Sequence, residues 1–393
     1  MTDSAAPRVL HLDHTSAAGG AEYALMRMLR GPVPWRPALL VPPSGRGGVY
    51  APLGGRVPIR TGGVAQPAGV SGGGLGAVAR AAVRLMLQAA ATRLDPAFRS
   101  ADVVDANTAR AAAYGALAAR TSRRPFVLHL RDMVEAEALG GSGLLMMTRI
   151  ALPRADGVVA NSRATLESAR PWLRPDAVTA VIPSAAGLHP VLPGASRAAR
   201  GEAGPLRIGI LARIDPWKGQ ALLLEAFARA FGDGDAVLEF AGAPQFGTEP
   251  HLEELRTRAA ELGLGDRVRF LGHVDDLDAV LARWDIAVQC STRPEPLGQN
   301  VLQYLAAGCA TIVADEGGPA EWIDDGVNGL VVPARDAPAL AAALERLAGD
   351  GALRAALATA APSTTGLLDD DAVATAHGAF YAEVVTSRTT RGS

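Results

Sequence analysis

The stretch RIGILARIDPWKGQALLLEAFARAF, residues 207–231, contains the structural unit that the rest of the chain repeats. It opens with an apolar run, Arg207–Ala212, that has the length of a buried strand. It ends in a helical pattern in which Leu223, Phe227 and Ala230 recur at spacings of three and four residues. A strand, a short loop and a helix in this order predict one βα unit of a parallel sheet.

Further strand–helix pairs extend from this stretch toward both ends of the chain. The predicted strands of the first half are Arg8–Leu12, Ala38–Val41, Val57–Arg60, Asp102–Ala106, Phe126–Leu130, Gly157–Ala160 and Val178–Ile182. Those of the second half are Arg207–Ala212, Val237–Ala241, Val268–Leu271, Ile286–Gln289, Thr311–Ala314 and Leu330–Val332. Most are apolar on both faces, which is typical of strands covered by helices on both sides. The pattern predicts an α/β protein with right-handed crossovers.

The two series of strands are separated by residues 187–205, which are rich in Gly, Pro, Ala and Ser and show no periodicity. We therefore predict an N-terminal Rossmann-like domain over 1–186, a linker over 187–205 and a C-terminal Rossmann-like domain over 206–365. Residues 366–393 are expected to form a helix that packs back on the N-terminal domain, followed by a tail. The glycine-rich loop 61–76 is either a functional lid or a disordered connection.

Composition excludes several classes of function. The 393 residues include 49% hydrophobic residues and carry a formal net charge of −2, which gives no electrostatic reason to expect a nucleic-acid partner. The two cysteines, Cys290 and Cys309, lie in apolar surroundings, so we expect reduced buried thiols and neither a disulfide nor a zinc site. The sequence begins without a signal-peptide pattern and contains no apolar run long enough to span a bilayer, so we expect a cytoplasmic protein.

Residues 77–94 predict a basic amphipathic helix, with Arg80, Arg84 and Arg93 among apolar residues. Most helices of this kind cover a sheet, and that is the interpretation we favour. The alternative is a peripheral contact with the anionic inner face of a membrane.

Ligands of open α/β sheets bind beyond the carboxyl ends of the strands, so the loops at those ends are the places to search for a site. After the first strand, Gly19 and Gly20 open a helix and would let a phosphate or sugar approach the backbone. A G-x-G-x-x-G sequence is absent from this loop, which argues against a nicotinamide dinucleotide. In the loop 213–220, Arg213 and Lys218 stand where a diphosphate would meet a helix N-terminus.

The loop after the strand Ile286–Gln289 is the most informative. Its helix N-terminus would direct the amides of Leu297, Gly298, Gln299 and Asn300 toward an anion. Glu295 lies just before this helix and is positioned to accept hydrogen bonds from sugar hydroxyls. Gln303 stands one turn after Gln299. A fourth glycine loop, Ala314–Glu321, follows the next strand.

A divalent metal between phosphates would need an Asp-x-Asp pair. Two such pairs occur, at 233–235 and 276–278. The first has the character of a turn and the second that of a helix start, where carboxylates are favoured for other reasons. We expect no metal and no cofactor.

These loops resemble the retaining glycosyltransferases of family 4, and the resemblance covers nearly the whole chain. It is carried by Ile208–Phe231, by Phe270–Asp276, by Ser291–Ala314, by Gly317–Glu321 and by Asp325–Gly329. The match is looser at Gly19, Gly20 and His129. The resemblance implies the GT-B fold, in which two Rossmann-like domains face each other across a cleft.

The resemblance also implies roles for single residues. The C-terminal domain would bind a nucleotide diphosphate sugar and the N-terminal domain the acceptor. The catalytic residues would be His129, Arg213, Lys218 and Glu295, with His129 near the reactive carbon of the sugar. The donor would contact Gly19, Gly20, Arg213, Lys218, Val274, Glu295, Leu297, Gly298, Gln299, Asn300, Val301 and Gln303.

One departure from the family concerns the ribose contact. Eight positions after Glu295 the family usually has a second Glu, whereas this chain has Gln303. An amide oxygen still accepts hydrogen bonds but without a full charge, so donor binding would be weaker by about 1–2 kcal/mol. A second departure is Pro183–Ala186, where an Asn-Gly turn is usual.

The expected function is a metal-independent, retaining hexosyltransferase acting on a glycolipid, polysaccharide or small natural product. The alternatives are a sugar-nucleotide epimerase of the same fold and a sugar-nucleotide-binding protein without turnover. The sequence leaves open the donor base, the sugar, the acceptor and the oligomeric state.

Overall fold

The computed structural model describes residues 6–43, 48–65, 75–188, 204–245 and 247–392. The chain divides into two compact units: unit 1 comprises Met1–Ala185 with Leu368–Ser393, and unit 2 comprises Ala186–Leu367. The predicted linker, 187–205, lies mostly outside the described residues, as does the greater part of the glycine-rich loop 61–76.

Unit 1 contains a seven-stranded, wholly parallel sheet in the order β3-β2-β1-β4-β5-β6-β7. Its strands are β1 (Arg8–Leu12), β2 (Arg36–Val41), β3 (Ile59–Thr61), β4 (Val103–Ala106), β5 (Phe126–Leu130), β6 (Gly157–Ala160) and β7 (Val178–Val181). Its first six helices are α1 (Gly20–Arg30), α2 (Leu75–Leu94), α3 (Pro96–Ser100), α4 (Ala109–Ala119), α5 (Ala136–Met146) and α6 (Arg163–Ala169).

Unit 2 contains a six-stranded parallel sheet in the order β10-β9-β8-β11-β12-β13. Its strands are β8 (Arg207–Leu211), β9 (Val237–Ala241), β10 (Val268–Gly272), β11 (Ile286–Gln289), β12 (Ala310–Ala314) and β13 (Leu330–Val332). Its helices are α7 (Gln220–Phe231), α8 (Glu249–Glu261), α9 (Leu277–Ala282), α10 (Gln299–Ala306), α11 (Ala337–Gly349) and α12 (Gly351–Ala360). The last helix of the chain, α13 (Asp370–Gly392), belongs to unit 1.

All thirteen predicted strands are present, with boundaries that differ by at most two residues. Two starts shift by two residues: β2 is predicted from Ala38 and observed from Arg36, and β3 is predicted from Val57 and observed from Ile59. Val57 is buried in the core beside Leu53, while Pro58 offers only its carbonyl oxygen, which accepts from the Leu39 amide at 2.9 Å. The periodicity detected the apolar run but not the turn that begins it.

The two faces of the unit 1 sheet pack against different helices. Leu10 and Leu12 lie in the core shared with α4, whereas Val9 lies in the core shared with α1 and α13. The C-terminal helix α13 adds Phe380, Tyr381 and Val384 to that second core. Unit 1 is therefore completed by the end of the chain.

Two further expectations concern buried thiols and membrane spans. Cys290 and Cys309 are free and buried, as predicted, and burial raises the pKa of each thiol to about 12. Among the described residues, no helix combines the length and the hydropathy that a bilayer crossing requires.

Candidate functional site

In both sheets the strand order reverses next to the first strand, between β1 and β4 in unit 1 and between β8 and β11 in unit 2. The connections after these strands depart to opposite faces and leave a crevice at the carboxyl edge, where ligands bind in open α/β sheets. In unit 2 the loops at this point are 212–219 and 290–298. These loops hold five of the predicted site residues, and the helix that follows the second loop holds four more: Arg213, Lys218, Glu295, Leu297 and Gly298, then Gln299, Asn300, Val301 and Gln303.

Lys218, which is partly buried, and Glu295, which is buried, form an ion pair at the reversal point of unit 2. The Glu295 carboxylate also accepts from Ser291 Oγ at 2.8 Å and from Gln289 Nε2 at 3.1 Å. Burial alone would raise the pKa of Glu295, but Lys218 and the two hydrogen bonds outweigh it and hold that pKa below its ordinary value. Glu295 is therefore ionised at neutral pH.

Three cationic side chains lie close to the indole ring of Trp217. The ring lies 4.0 Å from Lys218 Nζ, 4.1 Å from the Arg293 guanidinium carbon and 5.7 Å from that of Arg213. Its Nε1 atom is buried and finds no acceptor among the described residues. Three cations gathered at one ring make this loop electrostatically suited to an anion.

Arg213 is the more accessible of the two predicted cations, with its side chain 36% exposed. It donates to Asp215 at 3.1 Å through Nε. Asp215 precedes a short 3₁₀ turn, Pro216–Lys218, and α7 begins only at Gln220 because Gly219 separates the turn from the helix with a φ of 79°.

Gly219 also allows the first loop to touch the second. A Cβ atom at this position would lie 1.9 Å from the Cys290 carbonyl oxygen, and Cys290 Sγ donates to the Gly219 carbonyl oxygen at 3.3 Å. The Trp217 carbonyl oxygen accepts from the Thr292 amide at 2.8 Å. The cation loop and the Glu295 loop are thus held together by backbone contacts that a larger residue at position 219 would break.

The fourth predicted loop packs against the same segment. Gly317 has a φ of 73°, and a Cβ atom there would lie 2.4 Å from the Glu295 carbonyl oxygen. The Gly318 amide donates to that carbonyl oxygen at 2.8 Å. The structure therefore brings the second, third and fourth loops together around Glu295.

The N-terminus of α10 follows directly on this segment. Gly298 precedes the helix with a φ of 74°, and the amides of Leu297 and Gly298 have no hydrogen-bond acceptor within the described part of the chain. The Val301 amide, by contrast, donates to the Gly298 carbonyl oxygen at 2.9 Å and to Asn300 Oδ1 at 3.0 Å. Gln299 Nε2 donates to the Ala186 carbonyl oxygen at 3.3 Å.

Gln303 lies one turn into α10 and is 8% exposed. Its carboxamide makes no hydrogen bond to any side chain or backbone group of the described residues. A buried amide usually has a partner. Gln303 therefore has hydrogen-bonding capacity that the protein itself does not use.

Val274 follows β10 and packs, half-buried, against the cluster that contains Leu281. Asp276 caps α9, since its side chain accepts from the Ala279 amide at 3.0 Å. This confirms the helix start that the sequence predicts for the pair 276–278.

The reversal point of unit 1 carries acidic residues. The Asp13 carboxylate accepts from the His14 amide at 2.6 Å, from Asn107 Nδ2 at 2.7 Å and from the Tyr50 hydroxyl. Burial raises the pKa of Glu22, and the Asp13 charge adds to the shift. Gly19 precedes α1, and Gly20 is the first residue of that helix.

His129 is buried on the sheet face that α13 covers, with 3% of its surface exposed. Its Nε2 lies 3.1 Å from Asp105 Oδ1, and its ring stacks on His377 at 5.1 Å. Burial lowers the pKa of His129, so the imidazole is neutral at pH 7. Asp105 also accepts from His11 at 2.8 Å and from Tyr381 at 3.1 Å. His129 is part of a buried network in unit 1, and its catalytic role stays a prediction.

Neither Asp-x-Asp pair belongs to a cluster of potential metal ligands among the described residues. The pair 233–235 lies before β9, at the amino edge of the sheet, and Asp276 is a helix cap. The described residues contain one group with ligand atoms close enough to share an ion: Asp13, His14 and Glu22.

Comparison with known proteins identifies the family of this chain. The family model of group 1 glycosyl transferases matches residues 196–364, and that of glycosyltransferase family 4 matches residues 49–186. The chain belongs to the family 4, group 1 glycosyltransferases. Its fold is the GT-B fold of its structural neighbours, with one parallel α/β sheet in each unit.

Individual relatives of this glycosyltransferase match over part of their length. The lipopolysaccharide core biosynthesis glycosyltransferase LpsE of Rhizobium meliloti is 36% identical over 141 residues, which are 36% of this chain and 39% of LpsE. A D-inositol 3-phosphate glycosyltransferase of Geodermatophilus obscurus is 34% identical over 177 residues, 42% of this chain and 39% of the relative. The chain thus spans about two fifths of the length of these curated relatives.

A solved structure matches over almost the whole chain. HepE of Anabaena, crystallised in complex with UDP and glucose, superposes with a TM-score of 0.73 at 26% identity, covering 98% of both chains.

Sequence reasoning assigned no role to Trp217, Arg293, Ser291 or Gln289, which complete the surroundings of Lys218 and Glu295. One sequence signal was available. Lys218 is the single lysine among 38 basic residues, all others being arginine. Because every other basic residue of the chain is arginine, the lysine at position 218 indicates a position that requires a compact ammonium group. Trp217 is its neighbour in the sequence.

Proposed function

We propose that this glycosyltransferase moves a hexose-type sugar from a nucleotide diphosphate sugar to an acceptor, with retention of configuration and without a metal ion. The observation that carries the proposal is the Lys218–Glu295 pair at the reversal point of unit 2, with Trp217, Arg213 and Arg293 beside it. One ion pair there supplies both the cation that a diphosphate needs and the carboxylate that sugar hydroxyls need.

The roles in unit 2 follow from charge and from unused hydrogen-bonding groups. Arg213 and Lys218 would hold the diphosphate, together with the free amides of Leu297 and Gly298 at the N-terminus of α10. Glu295 would accept hydrogen bonds from the sugar. Gln303 would bind the ribose through the carboxamide that has no partner in the protein. Val274 would meet the base through its backbone.

The proposed chemistry is a front-face substitution. The bond between the anomeric carbon and the leaving phosphate oxygen breaks while the acceptor oxygen bonds to the same face, and the acceptor proton passes to the leaving phosphate. Arg213, Lys218 and the α10 N-terminus would stabilise the charge that develops on the diphosphate. Glu295 is a poor nucleophile in this arrangement, because Lys218, Ser291 and Gln289 already engage its carboxylate.

The acceptor would bind unit 1, whose reversal point presents Asp13, His14 and Glu22. Carboxylates and an imidazole suit a polyhydroxylated acceptor such as a sugar, a glycolipid or a natural product. Gly19 and Gly20 are proposed to contact the donor sugar from the same loop, and His129 to lie near its reactive carbon. As the donor base we propose uracil, because HepE was crystallised with UDP.

A thermal-shift screen tests the donor. UDP-, GDP- and dTDP-sugars are each added with and without EDTA, and a ligand at one hundred times its Kd should stabilise unit 2 by about 2.7 kcal/mol. We expect the UDP-sugars to give the largest shift and EDTA to have no effect. No shift with any donor would overturn the proposed site, and a shift that EDTA abolishes would overturn metal independence.

Chemical labelling of the single lysine localises the binding. Reductive methylation followed by mass spectrometry should modify Lys218 and the terminal amine, and a bound donor should protect only Lys218. The terminal amine is the internal control for reagent access. A donor that stabilises the protein but leaves Lys218 equally reactive binds elsewhere.

Nucleotide release measured with and without acceptors tests the reaction. We expect release to require an acceptor and the product to keep the anomeric configuration of the donor. Release of free nucleotide without an acceptor would indicate an epimerase or a hydrolase. Tight binding without transfer to any acceptor would indicate a binding protein.

A further inference from the structure

Helix α2 of unit 1, Leu75–Leu94, has an apolar face that nothing in the described structure covers. Val83, Met86, Leu87 and Leu94 are 58%, 59%, 50% and 68% exposed. Single exposed apolar residues are common on protein surfaces, but four on one helix need an explanation.

The face of α2 that packs against the protein is a different one. Gln88, Ala89 and Thr92 are buried, on the side where α2 meets α4. With about 100° of rotation per residue, these three lie on the side of the helix opposite to Val83, Leu87 and Leu94. The exposed apolar residues are therefore not the edge of the core but a second, outward stripe.

The N-terminal half of α2 stands away from the rest of unit 1. Every residue from Ala79 to Arg84 is exposed, although one helical turn contains both inward and outward positions. The packing predicted for this helix does not extend to its first turns. Its C-terminal half, around Gln88 and Thr92, packs mainly on α4.

Positive charges border the outward stripe on both sides. Arg80 and Arg84 flank it on one side and Arg93 on the other, and α2 contains no Asp or Glu. Arg80 and Arg84 are separated by four residues, a spacing at which like charges repel each other on a helix. An anionic partner removes that cost.

We propose that α2 is an interfacial helix that docks this protein on an anionic lipid bilayer. Met86, Leu87 and Val83 enter the boundary between headgroups and acyl chains, while Arg80 and Arg84 reach lipid phosphates. An apolar stripe bordered by cations is the pattern that binds in the plane of such a surface. A second copy of the chain is a poorer occupant, because two-fold pairing of α2 would bring arginines together without any acidic residue on either helix.

Vesicle co-sedimentation of the full chain tests the proposal, with phosphatidylcholine vesicles that either contain or lack 30% phosphatidylglycerol as the probe. The Met86→Gln/Leu87→Gln variant should bind the anionic vesicles about tenfold less tightly. The Arg80→Gln/Arg84→Gln variant should lose about fivefold per arginine and most of the salt dependence. Val327→Gln in unit 2, which removes another apolar side chain that is 54% exposed, should bind like the wild type.

Three outcomes would overturn the proposal. They are equal binding to neutral and anionic vesicles, unchanged binding of the Met86→Gln/Leu87→Gln variant, and self-association that this variant abolishes while vesicles are not bound. Since all substituted side chains are exposed, the melting temperatures should equal that of the wild type, and circular dichroism checks that each variant is folded.

Discussion

The two sheets share the strand order at their reversal points, yet the charges there are opposite. In unit 2 the loops after β8 and β11 place three cations around Trp217 and bury one carboxylate among them. In unit 1 the loops after β1 and β4 place Asp13 and Glu22 beside His14 and Asn107. The topology decides where a ligand can bind, and a few loop residues decide which charge it carries.

The two units also differ in where their buried polar groups lie and what these groups contact. In unit 1, Asp105 accepts hydrogen bonds from His11 and Tyr381 and lies against His129 beneath α13. In unit 2, the Leu297 amide, Trp217 Nε1 and the Gln303 carboxamide have no partners within the described residues. Buried atoms without a hydrogen-bond partner in the described structure also occur in unit 1, at Asp105 Oδ1 and His129 Nε2, but these two face each other at 3.1 Å beneath α13. The three groups of unit 2 lie instead at the carboxyl edge of its sheet, where unused donors and acceptors indicate a place for a ligand.

Removing the buried charge of unit 2 should give the largest effect. Glu295→Gln keeps the shape but leaves Lys218 without its counter-charge, so we expect transfer activity to fall by about 10²–10³-fold. Initial rates at saturating donor and acceptor measure this. Glu225→Gln is the control, because Glu225 pairs with Arg258 on the exposed surface of α7 and α8. Equal losses in the two variants would contradict a specific role for Glu295.

Gly219→Ala should separate the loops that meet at Cys290. The added Cβ would lie 1.9 Å from a carbonyl oxygen in a backbone with a φ of 79°, so we expect unfolding free energy to fall by about 2–4 kcal/mol. Gly263→Ala is the matched control, since it has a φ of 69° with nothing near its Cβ position and should lose only the cost of the strained backbone. Denaturant unfolding compares the two, and similar losses would show that backbone strain alone matters.

Gln303→Glu would restore the acidic residue that the family usually has at this position. If Gln303 binds the ribose, a carboxylate should strengthen donor binding by about 1–2 kcal/mol, or roughly five- to thirtyfold in Kd. Isothermal titration with the best donor of the screen measures the change. Gln303→Leu, which removes the carboxamide without adding charge, is the comparison variant and should weaken donor binding. Weaker binding by Gln303→Glu would remove position 303 from the ribose site.

The buried network of His129 and His377 in unit 1 should make that unit sensitive to acid. Burial, together with His129, lowers the pKa of His377 to about 3, so between that value and its unfolded pKa only the unfolded chain binds the proton. Stability from this group is complete above the unfolded pKa and falls as pH decreases, by about 0.7 kcal/mol between pH 7 and pH 6. His377→Gln should reduce this slope. Denaturant unfolding at both pH values measures it, and an unchanged slope would assign the acid sensitivity elsewhere.

The sequence alone determined the architecture of this protein and the loops of its candidate site. Period and length located all thirteen strands, because apolar runs of three to six residues that alternate with helical patterns have few other interpretations. Resemblance to family 4 selected Lys218, Glu295 and Gln303 because they occur at motif positions. These are local properties, and each can be read from a short window of the chain.

Tertiary structure decided what each of those residues contacts. Trp217 and Arg293 are 76 positions apart in the sequence, and their stacking arises only when β8 and β11 become neighbours. The burial of His129 depends on α13, whose His377 and Tyr381 come from the other end of the chain. The outward stripe of α2 has the same cause: a periodic pattern shows which helix faces are apolar, but only packing decides which of them remains exposed.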